Sequence, residues 1–327
     1  MWKNNCCAIG KRVFVFLLTF LVVYTFNFFI PRLMPGDPFS HSSSVSGEDM
    51  EGLSQKELDR LKAYYGLDKP ILAQFTTTIK QNLKGDFGES ILYKKSVKDV
   101  IMARIPWTIY IMFVTLVTSL FLGIFLALIC IKRSQWDAFI YKVMSFVCEL
   151  PSFIIGVLFL FLIANKVQWI PLAGNITPFK TFNTPLEYIS DVFLHSLLPI
   201  LALVVVTTPV FYFTSRSSFK TIMNKQYVLN AHGKGLSERV VRYKYILLNA
   251  ILPIVARFFL SVGNCIGATI LIENVFTYPG LGKILRDAVM YRDFVLIQGV
   301  FLLSTSIVLV SSLLSDLINY YIHRGTK

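Results

Sequence analysis

IPWTIYIMFVTLVTSLFLGIFLALICI, from Ile105 to Ile131, runs for 27 residues without a charge. A bilayer core about 30 Å thick is crossed by about 20 helical residues, so this stretch is long enough to span one. Its apolar residues are continuous, without the in-and-out alternation of a membrane strand, so the span is a helix. Five further runs of the same kind flank it: Val13 to Ile30, Phe139 to Ala164, His195 to Phe213, Ala250 to Ile272 and Val300 to Tyr321. Composition agrees, since 54% of the 327 residues are hydrophobic, 16% are charged and mean hydropathy is +0.60, too apolar for an ordinary soluble domain. The expected fold class is an all-α polytopic membrane protein with about six transmembrane helices.

Val13 to Ile30 has the flanking bases Lys11 and Arg12 of a secretory signal. It is longer than a signal core and ends Ile30-Pro31-Arg32-Leu33 without a small-residue cleavage pattern, so it reads as a retained span.

Orientation follows from Lys and Arg in the short loops, which resist translocation. Between the fourth and fifth spans, Ser215 to Leu248 holds seven bases (Arg216, Lys220, Lys225, Lys234, Arg239, Arg242, Lys244) against one acid, Glu238. This loop is expected to be cytoplasmic. Counting outward puts both termini inside, in agreement with Lys3, Lys11 and Arg12 at one end and Arg324 and Lys327 at the other. The outer segments are then Pro31 to Arg104, Asn165 to Leu194 and Glu273 to Gly299. The first carries eleven bases against ten acids, and its length frees it from the charge rule. Trp107 and Trp169 fall at outer span ends, and Tyr320 and Tyr321 at an inner one, the depth amphipathic rings favour.

The formal charge of +13 is thus mostly a topology signal, and no basic soluble module is left over to bind nucleic acid. Cys6 and Cys7 lie near the inner face, while Cys130, Cys148 and Cys265 lie in or at the edge of spans, so no outer disulfide is implied.

Chemistry-bearing patterns are sparse. His41, His195, His232 and His323 do not fall in a zinc-helix pattern, and there is neither a Cys-x-x-Cys pair nor a Gly-x-Ser-x-Gly elbow. Gly233-Lys234-Gly235-Leu236 and Gly280-Leu281-Gly282-Lys283 lack the spacing of a phosphate-cradling loop. If ATP drives this protein, another polypeptide must bind it. Ionisable groups within spans are few, with Glu149 beside Pro151 and Asp316 near an inner end. Glu149 has two readings, a carboxylate near cytoplasmic water or one lining a translocation path. Asp316 reads as interfacial.

The basic loop contains Tyr227-Val228-Leu229-Asn230-Ala231-His232-Gly233-Lys234-Gly235-Leu236-Ser237-Glu238, with Asn249-Ala250-Ile251-Leu252-Pro253 downstream. These residues predict a short helix containing Ala231, stopped by glycines, then a second helix carrying Arg239, Arg242 and Lys244. A short helix lodged in a partner's groove transmits rigid-body motion to the flanking spans. A solvated basic connection is the other reading of the same composition.

From Ala231 to Gly235, with Pro253 downstream, the loop resembles the cytoplasmic signature, the EAA loop, of permeases in binding-protein-dependent ABC importers. The acidic first residue of the triplet is absent in Leu229-Asn230-Ala231, and His232 stands where arginine is common. Pro253 lies eighteen positions after Gly235, the longer form that is similar to the dipeptide, oligopeptide and nickel branch. Arg32-Leu33-Met34-Pro35-Gly36-Asp37-Pro38, Tyr65-Gly66-Leu67-Asp68-Lys69-Pro70 and Gly85-Asp86-Phe87-Gly88-Glu89-Ser90 resemble the outer segment of that branch. So do Leu150-Pro151-Ser152-Phe153, Trp169-Ile170-Pro171, Glu273-Asn274-Val275-Phe276-Thr277-Tyr278-Pro279-Gly280-Leu281-Gly282 and Arg292-Asp293. The long outer segment resembles the B-type permease. Glu149 departs from the small polar residue commoner there, and the tail Ile322 to Lys327 lacks the usual ending.

The resemblance implies the type I importer transmembrane fold. Residues 1–31 would be the cytoplasmic N-terminus and first helix, 32–96 an extracytoplasmic segment, and 97–327 a five-helix domain carrying the coupling loop 215–248. It implies a permease for peptides in the bacterial cytoplasmic membrane, with nickel or another small solute as the alternative substrate. The implied partners are a second permease, two ATPases that hold ATP and Mg, an extracytoplasmic solute-binding protein and membrane lipid. Asn230, Ala231, His232, Gly233, Lys234, Gly235 and Leu236 would dock on the ATPase. Glu273, Tyr278, Pro279, Gly280 and Gly282 would form the outer gate or the binding-protein contact, although turn chemistry alone reads them equally as a structural turn. An ion-driven carrier and a transport-inactive scaffold are the rival readings. Sparse intramembrane charge opposes the first, and the ordered outer-loop matches oppose the second.

Overall fold

The apolar runs become long helices. The computed structural model describes residues 2–33, 55–132, 134–164, 166–167 and 169–325. The stretch Met34-Pro35-Gly36-Asp37-Pro38 and His41, within residues 34–54, lie outside the described residues. In chain order the elements are α1 (Trp2–Arg32), α2 (Gln55–Tyr64), α3 (Ile71–Leu83), α4 (Val97–Lys132), α5 (Ser134–Cys148) and α6 (Ser152–Phe159). They continue with α7 (Pro185–Met223), α8 (Gln226–Gly233), α9 (Glu238–Val240), α10 (Leu248–Val275), α11 (Leu281–Met290) and α12 (Phe294–Gly325). Among the described residues, five continuous helical stretches are long and apolar enough to cross a membrane, built on α1, α4, α7, α9–α10 and α12.

The expected third span is realised as two helices. Between α5 and α6 the chain bends by 95° at Glu149-Leu150-Pro151. Pro151 explains the break: it lacks the N–H that would continue α5, its ring disfavours a helical Leu150, and it stands at φ −63° and ψ 135° as the residue before α6. Leu150-Pro151-Ser152-Phe153 therefore marks the break and not the interior of a straight helix. Glu149 stands at this break with an exposed side chain.

The basic loop is also more helical than its charge suggests. Ser215 to Met223 continues α7, and α9 runs without interruption through a wide π stretch (Val241–Leu247) into α10. Pro253 lies inside α10 and not at the start of the helix.

The chain divides into two compact units, residues 1–106 with 280–306 and residues 107–279 with 307–327. In the first, Val97, Ile101, Leu281, Ile284, Leu296, Ile297 and Val300 form the core. Gly299 of α12 faces Val97 of α4, and an added Cβ there would lie 2.5 Å from the valine Cγ1. Phe28 meets Phe75 of α3 edge-on at 5.0 Å, and Asn82 donates to the Tyr24 hydroxyl at 2.8 Å.

The second unit is organised along α7, which contributes to three apolar clusters in turn. Leu198 to Val204 pack with Ile111, Ile155, Ile272, Phe276 and Tyr278. Phe211 packs with Met112, Leu116, Val262, Cys265 and Ile266. Tyr212 and Phe219 pack with Ala127, Val228, Ala231, Val241, Ile246, Ala250 and Ile254. Small residues let backbones approach where side chains would hold them apart. A Cβ on Gly123 of α4 would lie 2.6 Å from the Phe211 Cβ and 2.8 Å from the Tyr212 N.

Candidate functional site

The loop that set the expected orientation is built on α8. Val228 and Ala231, three residues apart, share one helix face and are buried in the cluster around Tyr212 and Phe219. Tyr227, Leu229, Asn230 and His232 are exposed, and Leu229 keeps 60% of its surface uncovered. A short helix is thus fixed on its inner face and open on its outer one. Gly233, Lys234 and Gly235 are exposed too, and Leu236 is half-buried against the same cluster.

Hydrogen bonding explains how α8 ends. The Gly235 N–H donates to the His232 carbonyl at 2.9 Å, and the Leu236 N–H to the Ala231 carbonyl at 3.3 Å. This is the Schellman arrangement, which requires a left-handed residue, and Gly235 supplies it at φ +71°. A Cβ on Gly235 would meet nothing within 4 Å, so backbone angle and not space demands glycine here.

Three of the seven bases of the loop are paired with carboxylates. Arg216 forks onto Asp137 of α5 through Nε–Oδ1 at 2.5 Å and Nη2–Oδ2 at 2.7 Å, and Lys220 adds a bond to Oδ2 at 2.8 Å. The Arg216 guanidinium also lies 4.8 Å from the centre of the Tyr141 ring. Planar two-point pairing of this kind is among the stronger polar contacts available to a protein. Arg242 and Glu238 pair more loosely, at 3.7 Å.

At the other end of α10, Glu273 is fully buried and accepts a 2.6 Å hydrogen bond from the Thr108 hydroxyl. The helix then closes with the same capping geometry: the Thr277 N–H reaches the Asn274 carbonyl at 3.4 Å, and the Tyr278 N–H reaches the Glu273 carbonyl at 2.7 Å. Thr277 takes the left-handed position at φ 49°, an uncommon and strained place for a β-branched residue. Tyr278 is fully buried against Trp107, with ring centres 6.0 Å apart and planes at 79°. Burial raises its hydroxyl above the ordinary tyrosine range. Glu273 and Tyr278 are therefore interior groups within this chain, and Thr277 is the exposed member of the turn. Pro279 is half-buried; Gly280, which precedes α11, and Gly282 within it are buried.

Two of the quoted sequence stretches meet in the first unit. Asp293 is fully buried, and its Oδ2 accepts from the Ser90 hydroxyl at 2.5 Å and from the Leu92 N–H at 3.0 Å. Its Oδ1 caps α12 by accepting from the Leu296 N–H at 3.0 Å. Gly85 to Ser90 and Arg292-Asp293, some two hundred positions apart, thus form one junction. A Cβ on Gly88, at φ +79°, would lie 2.9 Å from Val295.

Several polar anchors escaped the sequence reading. Asp191 is 5% exposed and accepts from the Thr177 N–H (2.7 Å), the Thr177 hydroxyl (2.8 Å) and Lys180 (3.3 Å), tying the connection before α7 to that helix. Asp137 and Gln298 were missed as well. The available signal was an acid or amide inside or beside an apolar run, which a bilayer tolerates only when partnered.

The family model for binding-protein-dependent transport system inner membrane components matches residues 119–327. The oligopeptide transport system permease protein AppB of Bacillus subtilis is 29% identical over 313 residues, covering 94% of this chain and 95% of that one. The glutathione transport system permease protein GsiC of Escherichia coli K12 is 27% identical over 310 residues, covering 94% of each chain. With almost two thirds of the chain inside the family model and similarity running nearly end to end, this chain belongs to the family of binding-protein-dependent transport system inner membrane components.

Proposed function

We propose that this chain is the B-type permease subunit of an ATP-binding-cassette importer and forms, with a second permease, a path for short peptides across the cytoplasmic membrane. Both termini and α8 face the cytoplasm in this reading. Two ATPase subunits, which carry ATP and Mg, dock on the exposed face of α8, and an extracytoplasmic solute-binding protein delivers the peptide. The carrying observation is that α8 is held by Val228 and Ala231 to the cluster containing Val241, Ile246 and Ala250 while Leu229, Asn230 and His232 stay exposed. A push on that face is delivered to α7 and α10 together, because both pack on the same cluster. For the push to switch the path, ATP must favour one state by several kcal/mol, since a shift from 1:99 to 99:1 takes about 5.5 kcal/mol.

Buried Glu273 and Tyr278 suit a gate that repacks better than a surface that receives the binding protein, which leaves Thr277 for that contact. Glu149, exposed at the break between α5 and α6, is the candidate path carboxylate. The test is uptake of a radiolabelled tripeptide by cells lacking this chain, restored by the wild type. Disulfide trapping between Asn230→Cys and single cysteines on the ATPase accompanies it. Restored uptake and a trapped ATPase are expected; no restoration by the wild-type chain, or capture only of the lipid-facing neighbours, overturns the reading.

A further inference from the structure

Beside Arg32, in the first unit, lies a polar cavity of about 340 Å³, within the size range of small-molecule sites. The guanidinium is held from several directions. Nε donates to the Gln74 Oε1 at 3.3 Å, Nη1 donates to the Phe28 carbonyl at 2.9 Å and to the Gln298 Oε1 at 3.3 Å, and the group sits 3.7 Å over the Phe28 ring. Nη2 makes no hydrogen bond among the described residues.

That arrangement fixes the neighbouring amide. A guanidinium only donates, so Gln298 must turn its oxygen toward Arg32 and its Nε2 away. Gln298 is 5% exposed, yet Nε2 has no acceptor among the described residues. A buried amide nitrogen left without an acceptor is costly, and Gln298 is one of the residues that line the cavity. Arg32 and Gln298 therefore hold unused donors side by side at its wall.

The same cavity is lined by Asp86 and Glu89, carboxylates from one turn. Glu89 is steadied by the Tyr64 hydroxyl, which donates to Oε2 at 2.9 Å, and Asp86 accepts from the Gly88 N–H at 2.9 Å. Each keeps lone pairs to spare. A simple anion would satisfy Arg32 and Gln298 but be repelled by two carboxylates. A simple cation would satisfy the carboxylates but leave the buried donors unmet. A ligand carrying a carboxylate and an ammonium satisfies both.

We propose that this cavity binds the zwitterion of a short peptide, its carboxylate on Arg32 and Gln298 and its ammonium on Glu89 and Asp86. The site rests on the peptide-permease reading above and would be a stop on the outer side of the path. It reads the two free ends, which every peptide shares, and leaves the side chains unselected.

The test uses the purified full-length chain in phosphatidylcholine nanodiscs, with trialanine, N-acetyl-trialanine and trialanine amide compared by saturation-transfer NMR. Trialanine is expected to bind, and either block to weaken it by about tenfold or more, the scale of one charge-assisted hydrogen bond. Glu89→Gln should shrink the difference between trialanine and its N-acetyl form, and Gln298→Leu the difference between trialanine and its amide, with Asp86 and Arg32 holding what is left. Equal binding of all three by the wild type, or no binding, overturns the site without needing a variant. Displacement of trialanine on moving to phosphatidylethanolamine nanodiscs also overturns it, by assigning the cavity to a lipid headgroup. If the site fails while the wild-type chain restores peptide uptake in cells, the proposed function stands. If end-specific trialanine binding appears but uptake is never restored, the function fails and the site remains.

Discussion

Gly66, Gly85 and Gly235 do one job in three different sequence contexts. Each is the left-handed residue just past a helix, at φ +67°, +79° and +71°. In each case the next N–H returns to a carbonyl five residues back: Leu67 to Lys62, Asp86 to Gln81 and Leu236 to Ala231. Thr277 and Arg292 close α10 and α11 in the same way without being glycine. The glycine stops were legible in the sequence because only glycine takes that conformation freely. The other two were not, since threonine and arginine carry no such signal. At Gly235 the structure separates two causes that a bulky substitution confounds. Gly235→Asn should keep peptide uptake near wild type, because asparagine tolerates the left-handed region. Gly235→Val should lose it at a strain cost of about 1–2 kcal/mol. Uptake rates of the two variants at matched membrane levels check this, and equal loss in both would shift the requirement from backbone angle to ATPase contact.

At the scale of elements, long apolar segments announced themselves and their interruptions did not. Pro151 could have been read as a kink in one span, yet it separates two helices at 95°. Periodicity cannot distinguish these outcomes, because both halves are equally apolar. The close crossing of α4 and α7 was equally hidden: Gly123 looks like any small residue in a span, and only its 2.6 Å clearance to Phe211 shows its use. Gly123→Ala should push these helices apart, costing about 1–3 kcal/mol despite alanine's better helix propensity. A lower midpoint in a detergent thermal-melt assay is the expected outcome. The Asp137–Arg216–Lys220 clamp belongs here too. Counted as loop charge, Arg216 and Lys220 pointed to a side of the membrane; in place, they bind α5 to α7.

For the whole molecule, composition and run length gave the class of fold, and the order of short motifs gave the family. Neither gave the junction of Ser90 with Asp293 or the cavity beside Arg32, because both join residues more than two hundred positions apart. Orientation is open to a direct measurement. In a cysteine-free background, Phe179→Cys should label with a membrane-impermeant maleimide in intact spheroplasts, and Lys234→Cys only after permeabilisation; both positions are exposed. The reverse pattern would invert the topology.

The π stretch from Val241 to Leu247 sits between the docking helix and α10, and it carries more residues per turn than an α-helix does. Seven residues in such a wide turn rotate about as far as six in an α-helix, so deleting one residue there would let a regular helix form and leave Ala250 and Ile254 facing their cluster and Glu273 facing Thr108. Deleting one residue from the α-helical part just beyond it would instead turn those side chains away by about 100°. The wide turn is thus a phase setting, spacing two helices whose inward faces would otherwise be out of step.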